Sequence, residues 1–197
     1  MRRVLYFLFA GLIALTGTAL HAADPADIPE NKQTELELYV TPQEAWDMIQ
    51  EDPDHILFLD VRTRSEAVYV GMPTVVDALV PFVDHDPFWS WDDKREGYKM
   101  EPVQEFVSEA NRRLEEKGLT KDNPVLVMCR SGGRSAMAAD RLAEDGFTQV
   151  YSVYEGFEGD KAKSGDEKGQ RTVNGWKNSG LPWTTDLDKD KMFIQEQ

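Results

Sequence analysis

Two short apolar runs without a polar interruption constrain the fold more than any other feature of the sequence. They are Ile56–Leu59 and Val125–Met128. A strand with one face in water alternates apolar and polar residues, whereas a strand buried on both faces is apolar throughout. Strands of the second kind belong to parallel sheets, in which crossover helices cover the two faces. The two runs therefore predict an α/β domain with a parallel sheet and helices on both faces.

The segments around these runs predict helices that alternate with strands. Thr41-Pro42-Gln43-Glu44 combines an N-cap, an early proline and a capping-box glutamate, and so predicts a helix start. A second helix is expected to open at Glu101-Pro102 and to end at Gly118, and a third spans residues 135–145. The further strands predicted are Leu36–Val40, Ala78-Leu79-Val80 with Phe82-Val83, and Val150–Val153. This alternation favours right-handed connections within one domain.

Residues 1–22 have the layout of a cleavable secretion signal. Two arginines precede an apolar run, Val4–Leu20, and small residues follow it. We expect cleavage after Ala22, and hence a periplasmic or secreted protein. Because a run of 17 residues is just long enough to span a bilayer, an uncleaved membrane anchor is the alternative.

Charge and cysteine content exclude several classes of function. The chain has 36 acidic and 22 basic residues, a net charge of −14, which argues against nucleic acid and an anionic membrane surface as partners. One cysteine excludes a disulfide framework, a CxxC redox pair and a cysteine-based zinc site. Asp84-His85-Asp86 is interpreted as a solvated acidic turn rather than a set of metal ligands. We expect a monomer without metal or other cofactor.

The single cysteine, Cys129, follows the second apolar run at the point where chemistry gathers in parallel sheets, beyond the carboxyl end of a strand. The next residues are Arg130-Ser131-Gly132-Gly133-Arg134-Ser135. The glycines let backbone N–H groups turn inward, the helix start adds its positive end, and the arginines add full charges. These effects favour a thiolate and would hold an anionic substrate beside it. The alternative, a small core cysteine, does not require such neighbours.

The stretch from Cys129 to Ser135 resembles the active-site loop of the rhodanese family of sulfurtransferases. Leu59-Asp60-Val61-Arg62 resembles an upstream strand-end motif of that family. Its C-terminal signature is similar to three short stretches, which are Glu155–Gly159, Gly175–Lys177 and Gly180–Pro182. The chain departs from the family pattern at Val70–Thr74, which lacks the usual histidine, and in two insertions.

The resemblance implies a single rhodanese-like domain over residues 36–185. We name residues 84–100 the first insertion and residues 160–174 the second insertion. A mobile leader at residues 23–35 is expected before the domain, and a C-terminal tail at residues 186–197 after it.

The resemblance also implies a mechanism. Cys129 would take a sulfane sulfur from a donor such as thiosulfate, form a persulfide and pass the sulfur to a thiophilic acceptor, which is either a small molecule or a protein. The residues implied for substrate binding are Arg130, Ser131, Gly132, Gly133, Arg134 and Ser135. Both arginines would hold the donor's oxyanion, or one of them would brace the loop. Asp60 and Arg62 are expected to support the loop as a strand-end ion pair.

Two other functions compete with this interpretation. A persulfide carrier or binding module would serve a dedicated protein partner and turn over little small-molecule substrate. A phosphatase of the related fold would place five residues between its cysteine and its arginine. Here four residues separate Cys129 from Arg134, so the loop makes a smaller cradle.

Aromatic residues are concentrated in the first insertion. They are Phe88, Trp89, Trp91 and Tyr98. Either they cover the core beneath a long insertion, or they wall the active site or dock a partner. The sequence leaves both interpretations open.

Overall fold

The computed structural model describes residues 25–194, and the signal peptide predicted at residues 1–22 lies outside them. In chain order the elements are β1 (Tyr39–Val40), α1 (Pro42–Glu51), β2 (Leu57–Asp60), α2 (Arg64–Val70), β3 (Met72–Pro73), β4 (Ala78–Leu79), β5 (Val83–His85), β6 (Trp91–Asp92), β7 (Gly97–Tyr98), β8 (Met100–Pro102), α3 (Phe106–Glu116), β9 (Val125–Met128), α4 (Gly133–Glu144), β10 (Val150–Val153) and β11 (Trp183–Thr184). No helix within residues 25–194 combines the length and apolar character that crossing a membrane requires.

A five-stranded parallel sheet forms the centre, in the order β1-β10-β9-β2-β4. Both predicted apolar strands, β2 and β9, are fully buried and pair with each other. On one face α3 and α4 pack through residues such as Leu114 and Leu142. On the other face α1 and α2 pack through Ile49 and Ala67. The predicted α/β class, with a parallel sheet covered on both faces, is confirmed.

Three predicted boundaries differ from the structure. The helix expected from Glu101-Pro102 begins at Phe106, because residues 100–102 form β8 and pair with β5. The strand expected over residues 78–83 is divided, since β4 joins the parallel sheet whereas Val83 begins β5 in a separate antiparallel pair. The first strand holds two residues rather than five, because Glu37 has a φ of 53° and interrupts the extended backbone.

Helix α2 was not predicted, although the sequence carries a signal for it. Thr63 and Glu66 form a complete capping box at its start, with the Thr63 hydroxyl accepting the Glu66 N–H and the Glu66 carboxylate accepting the Thr63 N–H. Helix α2 has seven residues, and Ala67 is its one buried residue. Its apolar face is therefore too short to produce a helical periodicity in the sequence. Its start lies directly after the strand-end motif.

The first insertion is an ordered β structure on the surface. Strands β5 and β8 pair antiparallel, and β6 and β7 form a hairpin beyond them. Trp89 and Trp91 pack edge-on against Tyr98, and Trp89 stacks on His85 with ring centroids 4.5 Å apart. Phe88 is 88 % exposed, and Trp89, Trp91 and Tyr98 are at least half exposed. The interpretation that these residues cover the core is therefore wrong.

The segment expected to be a mobile leader packs on the domain over residues 25–35. It forms two short 3-10 turns, and Ile28, Lys32 and Thr34 are buried. The Lys32 ammonium bonds both carboxylate oxygens of Asp160, at 2.9 and 3.0 Å, and so joins this segment to the second insertion. The N-terminal segment and the second insertion therefore meet beside the loop that follows β9.

Candidate active site

The thiol of Cys129 lies within the loop that connects β9 to α4. Its residue is 1 % exposed, and its Sγ accepts a hydrogen bond from the Gly132 N–H at 3.2 Å. The buried Ser135 hydroxyl accepts the Cys129 N–H at 2.7 Å, which ties the start of the loop to the first turn of α4. The loop thus curls around the sulfur and aims a backbone donor at it. We name residues 129–135 the site loop.

Two glycines allow the site loop to pack against the segment that follows β10. Gly132 has a φ of 100°, and a Cβ there would lie 2.0 Å from the Tyr154 carbonyl oxygen. Gly156 has a φ of 72°, and a Cβ there would lie 2.5 Å from the Arg130 and Ser131 backbone. Larger residues at either position would displace the loop backbone. The close contact fixes the direction of the N–H groups around the sulfur.

Asp60 and Arg62 form a fully buried ion pair at the end of β2. The Arg62 guanidinium donates to both Asp60 oxygens at 2.6 to 3.1 Å and to the Gly71 carbonyl at 2.7 Å. It also lies 4.0 Å from the centre of the Phe157 ring. The Phe157 N–H in turn donates to the Cys129 carbonyl at 2.8 Å. The pair therefore reaches the site loop through Phe157 and makes no direct bond to the thiol.

Arg134 of the site loop pairs with Glu66 of α2. Its two terminal nitrogens donate to the two carboxylate oxygens at 2.7 and 2.6 Å. Burial alone would raise the pKa of Glu66, but the hydrogen bonds and charge of Arg134 lower that pKa to about 2. Sequence reasoning missed Glu66; the capping box at Thr63 was the signal that could have found it. The pair directs the Arg134 guanidinium toward α2.

Arg130 is the other arginine of the site loop, and its side chain is exposed. Within residues 25–194 it makes no ion pair or side-chain hydrogen bond. Arg171 of the second insertion lies close enough for the charge of Arg130 to change its pKa. Burial lowers the pKa of Arg171, and the positive charge of Arg130 lowers it further. The guanidinium of Arg130 is thus available to an anion, whereas that of Arg134 is already paired.

A pocket of about 320 Å³ opens at the thiol, and we name it the Cys129 pocket. The site loop forms its floor, and the leader and second insertion contribute its sides. Its lining residues are Asn31, Lys32, Cys129, Arg130, Ser131, Gly133, Arg134, Met137 and Asp160. The pocket therefore combines a sulfur nucleophile with the available guanidinium of Arg130, and it has room for a small anion.

A second depression of about 620 Å³, which we name the side groove, lies next to this pocket. It shares Arg130, Arg134 and Met137 with the Cys129 pocket. Its other lining residues are Thr63, Ser65, Glu66, Tyr69, Val70, Phe82, Val83, His85, Arg95, Met100 and Pro102. The first insertion supplies part of this wall, but none of its four aromatic residues belongs to the lining.

The acidic residues beside His85 have partners within the protein. The Asp84 carboxylate pairs with Arg64, and the Asp86 carboxylate accepts the N–H groups of Phe88 and Ser90 at 2.8 and 2.7 Å. Among the residues that the structure describes, no three histidine, cysteine, aspartate or glutamate side chains cluster as metal ligands. Asp84 and Asp86 are both buried, and Asp84 lies in strand β5, so the interpretation of this stretch as a solvated acidic turn is wrong. The contacts give the two carboxylates a structural role.

The fold and the loop define a parallel α/β domain that presents a cysteine at the carboxyl edge of its central strand. A family model, described as the rhodanese-like domain, matches residues 41–163. The chain belongs to this rhodanese-like family, as its motifs predict. The match spans both predicted loop-support residues, Asp60 and Arg62, and the whole site loop.

Individual relatives agree with this assignment. The chain is 28 % identical to the thiosulfate sulfurtransferase GlpE of Actinobacillus succinogenes over 146 residues, which cover 74 % of this chain and 89 % of that protein. It is also 28 % identical over 139 residues to the uncharacterized protein RC0915 of Rickettsia conorii, covering 71 % and 90 % of the two chains. The crystal structure of Rv0390 from M. tuberculosis has a TM-score of 0.55 at 29 % identity, over 75 % of this chain and 96 % of that one.

Proposed function

We propose that this protein is a sulfurtransferase that moves a sulfane sulfur from a donor such as thiosulfate to a thiophilic acceptor through a persulfide on Cys129. The observation that carries the proposal is the hydrogen bond from the Gly132 N–H to the Cys129 sulfur, inside a loop at a helix start. Backbone donors aimed at a sulfur stabilise both a thiolate and the anionic persulfide that it would form. The similarity to a protein named thiosulfate sulfurtransferase supports the same reaction.

The proposed transfer has two half-reactions, and each is balanced. The Cys129 thiolate attacks the outer sulfur of thiosulfate, a new S–S bond forms, and sulfite leaves with the electron pair of the old S–S bond. A thiophilic acceptor such as cyanide then attacks the outer persulfide sulfur, and the thiolate leaves. No external oxidant or reductant takes part. Arg130 would hold the donor's sulfonate group, whereas Arg134, through Glu66, would keep the loop in shape.

Intact mass spectrometry tests this proposal directly. The purified protein is incubated with thiosulfate and compared with a Cys129→Ser variant. We expect the wild type to gain the mass of one sulfur atom, to lose it on treatment with cyanide, and the variant to gain nothing. No gain on a thiol shown to be free and reduced would exclude thiosulfate as the donor.

We further propose that the protein is exported and acts in the periplasm or outside the cell. The proposal rests on the basic start, apolar run and small residues of residues 1–22. The mass of the protein purified after expression of the full chain tests it. A mature chain that starts at Ala23 is expected, whereas a chain that keeps its first 22 residues in a membrane fraction would support the anchor alternative.

A persulfide carrier that serves a protein partner is the second candidate, and the exposed aromatic cluster favours it. Trp89 and Trp91 are 50 % and 58 % exposed and do not border the Cys129 pocket. If a partner docks there, replacing both by alanine would slow transfer to that partner and leave persulfide formation from thiosulfate intact. Equal transfer rates in the two proteins, at equal stability, would remove this candidate.

The phosphatase alternative gains no support from the site. The bidentate bond to Glu66 occupies the Arg134 guanidinium, which a phosphatase would need for its substrate. The short loop and this pairing both favour a small sulfur-containing anion. An aryl phosphate assay is expected to give no hydrolysis that depends on Cys129.

A further inference from the structure

The side groove has a chemical character different from that of the Cys129 pocket that it adjoins. Seven of its fourteen lining residues are polar or charged, and the other seven contribute aliphatic, aromatic or thioether side chains. The apolar contributors are Tyr69, Val70, Phe82, Val83, Met100, Pro102 and Met137. Tyr69 is 83 % exposed and Met137 is 51 % exposed, so their apolar surfaces are not covered by the rest of the described chain. Such a depression has the size and lining typical of a site for an organic molecule.

The position of the side groove restricts what could occupy it. It meets the Cys129 pocket at Arg130, Arg134 and Met137, which line both. Of the two arginines, Arg130 has its charge available, because Arg134 is paired with Glu66. An occupant that reaches the thiol must therefore place an anionic end near Arg130 and an apolar body along the groove. Inorganic thiosulfate satisfies the first requirement and leaves the groove empty.

We propose that the side groove binds the apolar body of an organic sulfane-sulfur donor, an anion whose transferable sulfur is bonded to the sulfur of an aryl- or alkylsulfonyl group. This inference rests on the proposed function, since it names the substrate class of the same site. The groove's wall is built by α2, by the site loop and by the first insertion, which supplies His85, Arg95 and Met100. The first insertion would therefore act as a specificity element for the donor.

The chemical step is the same displacement with a different leaving group. For an organic thiosulfonate, the Cys129 thiolate attacks the terminal sulfur and the new S–S bond forms. The bond between that sulfur and the sulfonyl sulfur breaks, and an organic sulfinate leaves with the electron pair. The persulfide anion on Cys129 and the sulfinate together carry the two negative charges of the reactants. The sulfinate's apolar group remains against Tyr69 and Met100 until release.

Two thiosulfonates with the same reactive head isolate the contribution of the groove. Toluenethiosulfonate carries an aryl body, and methanethiosulfonate carries one methyl group. The rate of Cys129 persulfide formation, expressed as kcat/KM with cyanide as acceptor, is measured for both donors. The ratio of the two kcat/KM values cancels any change in the reactivity of the Cys129 thiol, because such a change affects both donors. The ratio is then compared among the wild type and variants at the groove.

Tyr69→Ala removes a large exposed wall residue, and Val68→Ala is its matched control. Val68 is the neighbouring residue on α2, is 49 % exposed and does not line the groove. We expect the aryl-to-methyl ratio to fall about fivefold in Tyr69→Ala, because the lost apolar contact is made only with the aryl body. Val68→Ala should keep the wild-type ratio. Met100→Ala, which changes a groove residue of the first insertion, should lower it as Tyr69→Ala does.

The outcomes separate this inference from the proposed function. If neither thiosulfonate nor thiosulfate places sulfur on Cys129, the proposed function fails. If all three donors form the persulfide but the ratio is the same in wild type, Tyr69→Ala and Met100→Ala, the function stands and the groove is not a donor site. A ratio that falls equally in Val68→Ala would also overturn the inference, because the effect would then not come from the groove.

Discussion

The ion pair between Glu66 and Arg134 should stabilise the protein measurably, and Glu66→Gln tests this. The substitution removes the negative charge but keeps an amide oxygen that can still cap α2 and accept one bond from Arg134. Both side chains are largely buried, with 17 % and 16 % of their surface exposed. Solvent therefore screens the pair less than an exposed one.

The pKa of Glu66 sets the expected magnitude and its pH dependence. The pKa of the Glu66 carboxyl falls from its ordinary 4.5 to about 2 in the folded protein. One pKa unit corresponds to about 1.4 kcal/mol, so the charged form contributes about 3 kcal/mol at pH 7. Because the folded-state pKa is the lower one, this contribution is present above pH 4.5 and is lost as the pH falls toward 2. At pH 3 less than half of the contribution should remain.

Urea unfolding at pH 7 and at pH 3 measures the difference between wild type and Glu66→Gln. Glu144→Gln is the matched control, since Glu144 pairs with Arg141 but both side chains are more than half exposed. The control should lose less than about 1 kcal/mol at pH 7. The reasoning is refuted if Glu66→Gln costs no more than Glu144→Gln, or if its cost does not shrink between pH 7 and pH 3.

Three further predictions concern the buried ion pair, the site loop and the electrostatic field. Asp60→Asn leaves the Arg62 guanidinium fully buried without its counter-charge, and should lower the free energy of unfolding by about 3 kcal/mol or more in urea. Gly132→Ala, which places a Cβ 2.0 Å from a carbonyl oxygen, should abolish persulfide formation, whereas Gly118→Ala, equally left-handed but uncrowded, should leave the mass gain unchanged. Turnover of thiosulfate should rise with added salt before it falls, because a net charge of −14 repels the donor at long range while Arg130 attracts it nearby; a profile that only falls would contradict this.

The sheet could be predicted from the sequence because its central strands are buried on both faces. Each of them is therefore an uninterrupted apolar run, which consecutive residues of the sequence show directly. The capping box of α1 is equally local, and its predicted start is confirmed. The start of α3 was predicted wrongly because Glu101-Pro102 is a helix-start pattern whose residues are instead drawn into pairing with β5. Proline is tolerated in that strand because it belongs to an isolated two-stranded pair rather than to the interior of the main sheet.

The site loop could be located from the sequence since its residues are contiguous. The different roles of Arg130 and Arg134 could not be predicted, because they depend on Glu66, which is 68 residues away from Arg134 in the chain. The same holds for the Lys32 and Asp160 pair, whose members are 128 residues apart. Long side chains that meet across a fold leave no local pattern in the sequence. Only the folded arrangement shows which cation is available.

The central position of β9 has a kinetic consequence for the thiol. The strand is paired with β10 on one side and β2 on the other, and it is completely buried, so parting it from its neighbours breaks two ladders at once. Local opening of such a strand approaches the cost of unfolding the whole domain. The strand end that carries Cys129 therefore keeps its position for as long as the domain stays folded. The hydrogen exchange rate of the β9 amides would accordingly report the rate of global unfolding.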